Sequence, residues 1–149
     1  MSLVKLLTKK TEGQYTWERL EKVVTSHPKI PVNPGRYMGN NKCHYNAVNE
    51  TYLNKGTGVA MVYVHIPNSS VILHFINYKK VGRGKTSVYE YTDNTLGYLG
   101  LKNNYYLIKH LTQDEMDRVY RTGVEFADKI HKTYFNWFEL KYFVLKLFS

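Results

Sequence analysis

Cysteine is nearly absent from this sequence, with Cys43 standing alone among 149 residues. A single thiol excludes an intramolecular disulfide, and it leaves no partner for a multi-cysteine zinc site. Proline is scarce as well, and three of its four residues are gathered at Pro28, Pro31 and Pro34. Nowhere do about 18 uncharged apolar residues run together, so no helix is expected to span a membrane. The opening MSLVKLLTKKTEGQ lacks an apolar stretch of signal-peptide length with a small-residue cleavage site. Secretion is therefore not expected, and a reducing cytoplasm fits the lone thiol. No block of five or six like charges occurs, and no HExxH or comparable spacing appears among the six histidines. The G-x-G-K-T look of Gly82 to Thr86 lacks the full Walker spacing and joins two strands instead of opening a helix. Neither a metal nor another cofactor is called for.

What the chain does contain is typical of a folded domain. It is 43% hydrophobic, 22% charged and 15% aromatic, which places it in the soluble globular class. Residues 1–149 fit one domain, long enough to bury about 70% of the unfolded surface. Twenty-one Lys and Arg against 12 Asp and Glu give a formal charge of +9. Such a balance favours approach to an acidic protein, a phosphorylated molecule or nucleic acid. The cations are spread as pairs and singles, so a merely solvated basic surface fits as well. The abundance of Tyr, Lys and Asn suggests an AT-rich coding genome, as many phages have.

Taken in order, residues 15 to 26 place Trp17, Leu20, Val23 and Val24 at helical spacing, with Thr16 as N-cap. His27-Pro28 ends that helix, and the three prolines hold an extended connector. Asn40 and Asn41 are good N-cap types for a second helix from Cys43 to Asn54, stopped at Lys55-Gly56. β-Branched and aromatic runs at 57–66 and 71–80, a turn at Gly82 to Lys85, and the run 86–93 read as a three-stranded antiparallel meander. A fourth strand is expected at 105–111. Thr112-Gln113-Asp114-Glu115 then fits a capping box for a long helix through Ile130. The aromatic stretch 134–148 reads as a further docked helix.

Three chemistry-bearing residues follow one another through these elements. Cys43 falls in the first turn of its helix, where unsatisfied N–H groups and the positive dipole end favour thiolate. His74 shares one strand face with Ile72, Ile76 and Tyr78, and Asp93 shares a face of the next strand with Tyr89 and Tyr91. Neighbouring strands can therefore join imidazole to carboxylate, as a cysteine triad needs: the ring takes the thiol proton, and the carboxylate fixes the ring and supports its charge. The same residues also fit a buried structural cysteine, a core histidine and a strand-ending Asx turn. His44 lies on another helix face and His65 before a turn, so both are weaker candidates for the base. His110 and His131 have no evident partner.

The series C-H-Y-N-A, H-F-I-N and D-N-T-L-G, spanning roughly residues 40 to 111, resembles uncharacterised phage and bacterial proteins. Their pattern is Cys-x-x-Asn-Ala/Ser, then His-x-Trp, then Asp-x-Thr. Those in turn resemble compact members of the papain-like and transglutaminase-like cysteine superfamily. The resemblance implies an NlpC/P60-like core, Cys43 as nucleophile, His74 as base, Asp93 as orienting acid and Asn46 as support, in a host cytoplasm if the origin is a phage. Ile76 stands where tryptophan is usual. The upstream glutamine common in papain-like enzymes is missing, which makes Asn40 or Asn41 the candidate oxyanion donor beside the Cys43 N–H.

These readings combine into an α+β domain with an antiparallel sheet of about four strands, flanked by helices and carrying the cysteine helix. The expected function is a cysteine-dependent hydrolase or acyl transferase acting on a peptide, amide or thioester. The alternative is a non-enzymatic basic binding protein that engages an acidic protein or nucleic acid.

Overall fold

The computed structural model describes residues 12–35, 43–66, 70–95 and 103–134. Helix α1 spans Glu12–Thr25, α2 Cys43–Leu53 and α3 Gln113–Tyr134; strands β1 to β6 span Lys29–Ile30, Val32–Pro34, Thr57–Ile66, Ser70–Val81, Val88–Asp93 and Asn104–His110. The fold is α+β, as the alternation of helical and strand periods predicts. Helix α1 begins at Glu12, before the expected cap at Thr16. The cap of α3 is as the sequence predicts: Glu115 accepts from the Thr112 N–H at 3.0 Å, and the Glu115 N–H donates back to the Thr112 hydroxyl at 3.3 Å. That long helix is kinked at Thr122, just before Gly123. The expected helix at 134–148 falls, apart from its first residue, outside the described residues. Among the described residues no helix is long and apolar enough to cross a membrane.

The sheet departs from the four antiparallel strands expected. Among the described residues it has six, in the order β1-β6-β3-β4-β5-β2. The two additional strands come from the proline connector, where β1 pairs antiparallel with β6 and β2 pairs parallel with β5. Proline removes a donor, which argues against a central strand but is tolerated at an edge. Two- and three-residue strands are also too short to show any period. Ile30 and Val32 lie at most about 7 Å apart along the chain, yet they occupy opposite edges of the sheet. The sheet must therefore curl until β5 and β6 flank this one segment, giving a barrel-like wall with an inner and an outer face.

Alternation sorts the side chains between the faces. Ala60, Val62, Val64, Ile72, Ile76, Tyr91 and Tyr105 fill the inside. Val59, Met61, Tyr63, Leu73 and Phe75 form the outside, covered by Leu20 and Val24 of α1, Ala47 and Val48 of α2 and Val119 of α3. Strand β4 pairs with β3 along Ser70 to Lys79 but with β5 only along Asn77 to Val81. The wall is thus open beside the first half of β4, where inner and outer faces communicate.

At the end of β2 the Gly35 N–H donates to the Asp93 carbonyl at 2.9 Å. A Cβ on Gly35 would stand 2.0 Å from Asn94 Oδ1 and 2.5 Å from Thr92 Cγ2. Gly35→Ala should therefore lower stability by about 1–3 kcal/mol in urea unfolding, as overpacked sites do. An unchanged midpoint would contradict the seating of β2 against β5.

Candidate active site

Helix α2 lies on the outer face of β3 and β4 with its first residue, Cys43, at the opening in the wall. Cys43 is 1% exposed. The neighbouring Phe75 N–H, on the edge that β5 leaves unpaired, donates to the Cys43 sulfur. His74 alternates with Ile72 and Ile76 and so belongs to the inner face, where it is completely buried. Inner imidazole and outer thiol meet through the opening.

Asp93 closes the arrangement from the end of β5. His74 Nε2 and Asp93 Oδ1 are 3.0 Å apart, both side chains wholly buried. The same oxygen accepts the Thr95 N–H at 2.8 Å, so the expected Asx turn exists and the carboxylate serves it and the histidine together. Oδ2 accepts the Tyr105 hydroxyl at 2.5 Å from across the barrel. With Nε2 committed to Asp93, Nδ1 is the ring nitrogen left for the thiol. It makes no hydrogen bond of full geometry, yet ring and sulfur interact by charge and by side-chain contact.

Electrostatics follow from this burial. Desolvation by itself would raise the Cys43 thiol; the positive His74 ring and hydrogen bonds from His44, His74 and the Phe75 N–H together outweigh it and bring the thiol down to about 6. Desolvation would lower His74, but the charges of Asp93 and Cys43 and their hydrogen bonds raise it to about 10. Burial would likewise raise Asp93, and it is overcome by the His74 charge and by hydrogen bonds from His74, Tyr105 and the Thr95 N–H, leaving the carboxyl at about 2. Tyr105 is held above the usual phenol range by burial and by the Asp93 charge it faces. All three directions favour the charged forms together: thiolate, imidazolium and carboxylate.

A layer of buried amides fixes these parts. Asn46 donates to the Thr95 hydroxyl at 2.9 Å, tying α2 to the Asp93 turn. Asn77 donates to the Ala47 carbonyl at 2.8 Å and the Gly58 carbonyl at 3.1 Å, and accepts from Asn94 at 2.9 Å. Asn40 and Asn41, the candidate oxyanion donors, lie outside the described residues.

Sequence reasoning missed Tyr105, Asn77, Asn94, Thr95 and the part played by His44. Asn77, Asn94 and Thr95 were in view, as the remaining polar letters of the H-F-I-N and D-N-T segments. Nothing in the YYLIKHL run marks Tyr105 as a partner of Asp93. His44 contributes a hydrogen bond to the thiol despite its different helical position. His65 instead faces Glu21 at 3.3 Å, and His110 has a partner after all in Tyr91, at 2.9 Å. Among the described residues no three His, Cys, Asp or Glu side chains cluster as metal ligands.

No protein-family model, curated protein or solved structure matches this chain.

The Asp93 carboxyl sits below its unfolded value near 3.9. Its stabilisation is therefore full above that value and lost as pH falls through about 2. The urea midpoint of the wild type should drop between about pH 5 and 2 more steeply than that of Asp93→Asn. Equal slopes in that window would contradict an ionised Asp93 in the folded state.

Proposed function

We propose that the protein is a cysteine-dependent hydrolase or acyl transferase with a papain-like core, opening an amide or thioester in a reducing cytoplasm. The observation that carries this reading is the convergence of Cys43, His74 and Asp93, contributed by a helix start and two adjacent strands. A thiol held at about 6 beside a ring held at about 10 is a nucleophile and an acid already charged for the reaction.

In the first step the Cys43 sulfur attacks the carbonyl carbon to form a C–S bond, and the carbon–nitrogen or carbon–sulfur bond to the leaving group breaks. The leaving group departs with the proton of the His74 imidazolium. The neutral ring then takes a proton from water, for hydrolysis, or from an acceptor amine or thiol, for transfer, as that group attacks the thioester and releases Cys43. Asp93 holds the ring by Nε2 throughout and supports its charge. Asn40 or Asn41, with the Cys43 N–H, is the proposed donor set for the tetrahedral oxyanion.

The second reading, a non-enzymatic basic binding protein, draws on a different observation: the triad side chains are almost entirely shielded from solvent. Reaction with p-nitrophenyl acetate separates the two. The enzyme reading predicts a one-equivalent burst of p-nitrophenol, one acetyl group on Cys43 by intact mass, and a rate that rises through about pH 6. His74→Ala should slow the burst by about 10²–10⁴-fold and move the rise toward the ordinary thiol value near 8.5. A burst-free protein, or a thiol titrating near 8.5 in the wild type, would leave the binding reading in possession.

A further inference from the structure

The β4–β5 hairpin projects beyond the rest of the wall. Strand β3 begins opposite Lys79, so Lys80 and Val81 pair only with Tyr89 and Val88 of β5. Lys79, Lys80, Arg83 and Lys85 are all exposed in this hairpin, and none makes a salt bridge among the described residues. Glu90 is the only acidic residue in the projecting part of the hairpin, residues 79–90, and it stands opposite Lys79. By alternation both of these lie on the face away from Tyr78, Lys80, Tyr89 and Tyr91.

That second face is aromatic. Tyr78 stacks on His110 of β6 at 3.9 Å between centroids and 12° between planes. The stack bridges β3 because Gly58 has no side chain: a Cβ there would meet the Tyr78 ring at 2.6 Å. Tyr91 fixes the other partner through its hydroxyl, 2.9 Å from His110 Nε2. Burial holds His110 below its ordinary value, which keeps it the neutral partner that such a contact needs. Tyr89 stands edge-on to both rings, at 5.6 Å and 81° from Tyr78 and 4.7 Å and 70° from His110. It is nevertheless 47% exposed. An exposed ring braced by a fixed stack, opposite Lys80 and on a hairpin whose turn carries Arg83 and Lys85, combines an aromatic platform with exposed cations.

We propose that this hairpin face binds single-stranded nucleic acid, with an unpaired base stacked on Tyr89 and the adjacent phosphates held by Lys80, Arg83 and Lys85. Single strands fit because an unpaired base can offer its ring face, whereas a duplex keeps its bases stacked inside. Charge complementarity alone would suit any polyanion; the braced, exposed ring selects for one that carries aromatic groups. The exposed Tyr89 lies at the far end of β5 from Asp93, although Tyr78 and Tyr91 share the sheet face of His74 and Asp93.

Fluorescence anisotropy of the full chain with labelled oligo(dT) and oligo(rU) tests it. Affinity should fall with salt between about 0.05 and 0.2 M, and Arg83→Gln with Lys85→Gln should reduce the slope of log affinity against log salt by about 1.4, two phosphates' worth. Tyr89→Ala should weaken binding by about five- to a hundredfold, and Tyr89→Phe should retain it. Tyr52→Ala removes a tyrosine that is 69% exposed on α2 and should change nothing. Unchanged binding in Tyr89→Ala, equal affinity for a duplex of the same length, competition by polyglutamate at the oligonucleotide's own potency, or no binding at low salt would each overturn the proposal.

Discussion

Everything near the opening in the wall depends on one buried carboxylate. Asp93 accepts from His74 on β4, from the Thr95 N–H in its own turn and from Tyr105 on β6. Its backbone carbonyl accepts from Gly35 at the end of β2. A buried carboxylate is costly unless ionised with its hydrogen bonds complete, and here the completing groups come from two strands and a turn. Removing any of them leaves charge or donor unmatched inside the protein. The requirement to satisfy Asp93 and the shape of the curled sheet are therefore the same constraint.

A second consequence is how two faces of a sheet can share a site. Side chains on opposite faces do not ordinarily meet, because the sheet lies between them. Here β5 turns away at Asn94, the first half of β4 loses its neighbour, and the first turn of α2 enters the space. The Phe75 N–H that would otherwise have lacked a strand partner bonds the Cys43 sulfur instead. An unpaired strand edge, usually a liability, becomes the place where a thiolate is stabilised.

Much of this was legible in the residues themselves. The helix beginning at Cys43, the paired runs 57–66 and 71–80 and the capping box at Thr112 all have strong local signals, and each lies within a residue or so of its expected bounds. The adjacency of His74 and Asp93 followed from the meander. The closing strands did not, since Lys29–Ile30 and Val32–Pro34 are too short and too proline-rich to carry a period. Without them the curl of the sheet was invisible, and so was Tyr105, whose approach to Asp93 exists only once β6 wraps round. His44 was discounted on helical angle, yet at the first turn a long ring can still reach its neighbour's sulfur. The amide layer was written in the motifs but carried no sign of who would bond to whom.

The central claim is that Asp93 keeps His74 charged inside the fold, and the ring nitrogens report on that directly. In ¹⁵N-detected NMR at pH 8, His74 should carry protons on both nitrogens and hold them until about pH 10. In Asp93→Asn, with the opposing charge gone and burial left to act, the ring should become neutral at a much lower pH. A wild-type His74 that is already neutral at pH 8, with a single ring proton, would contradict the account.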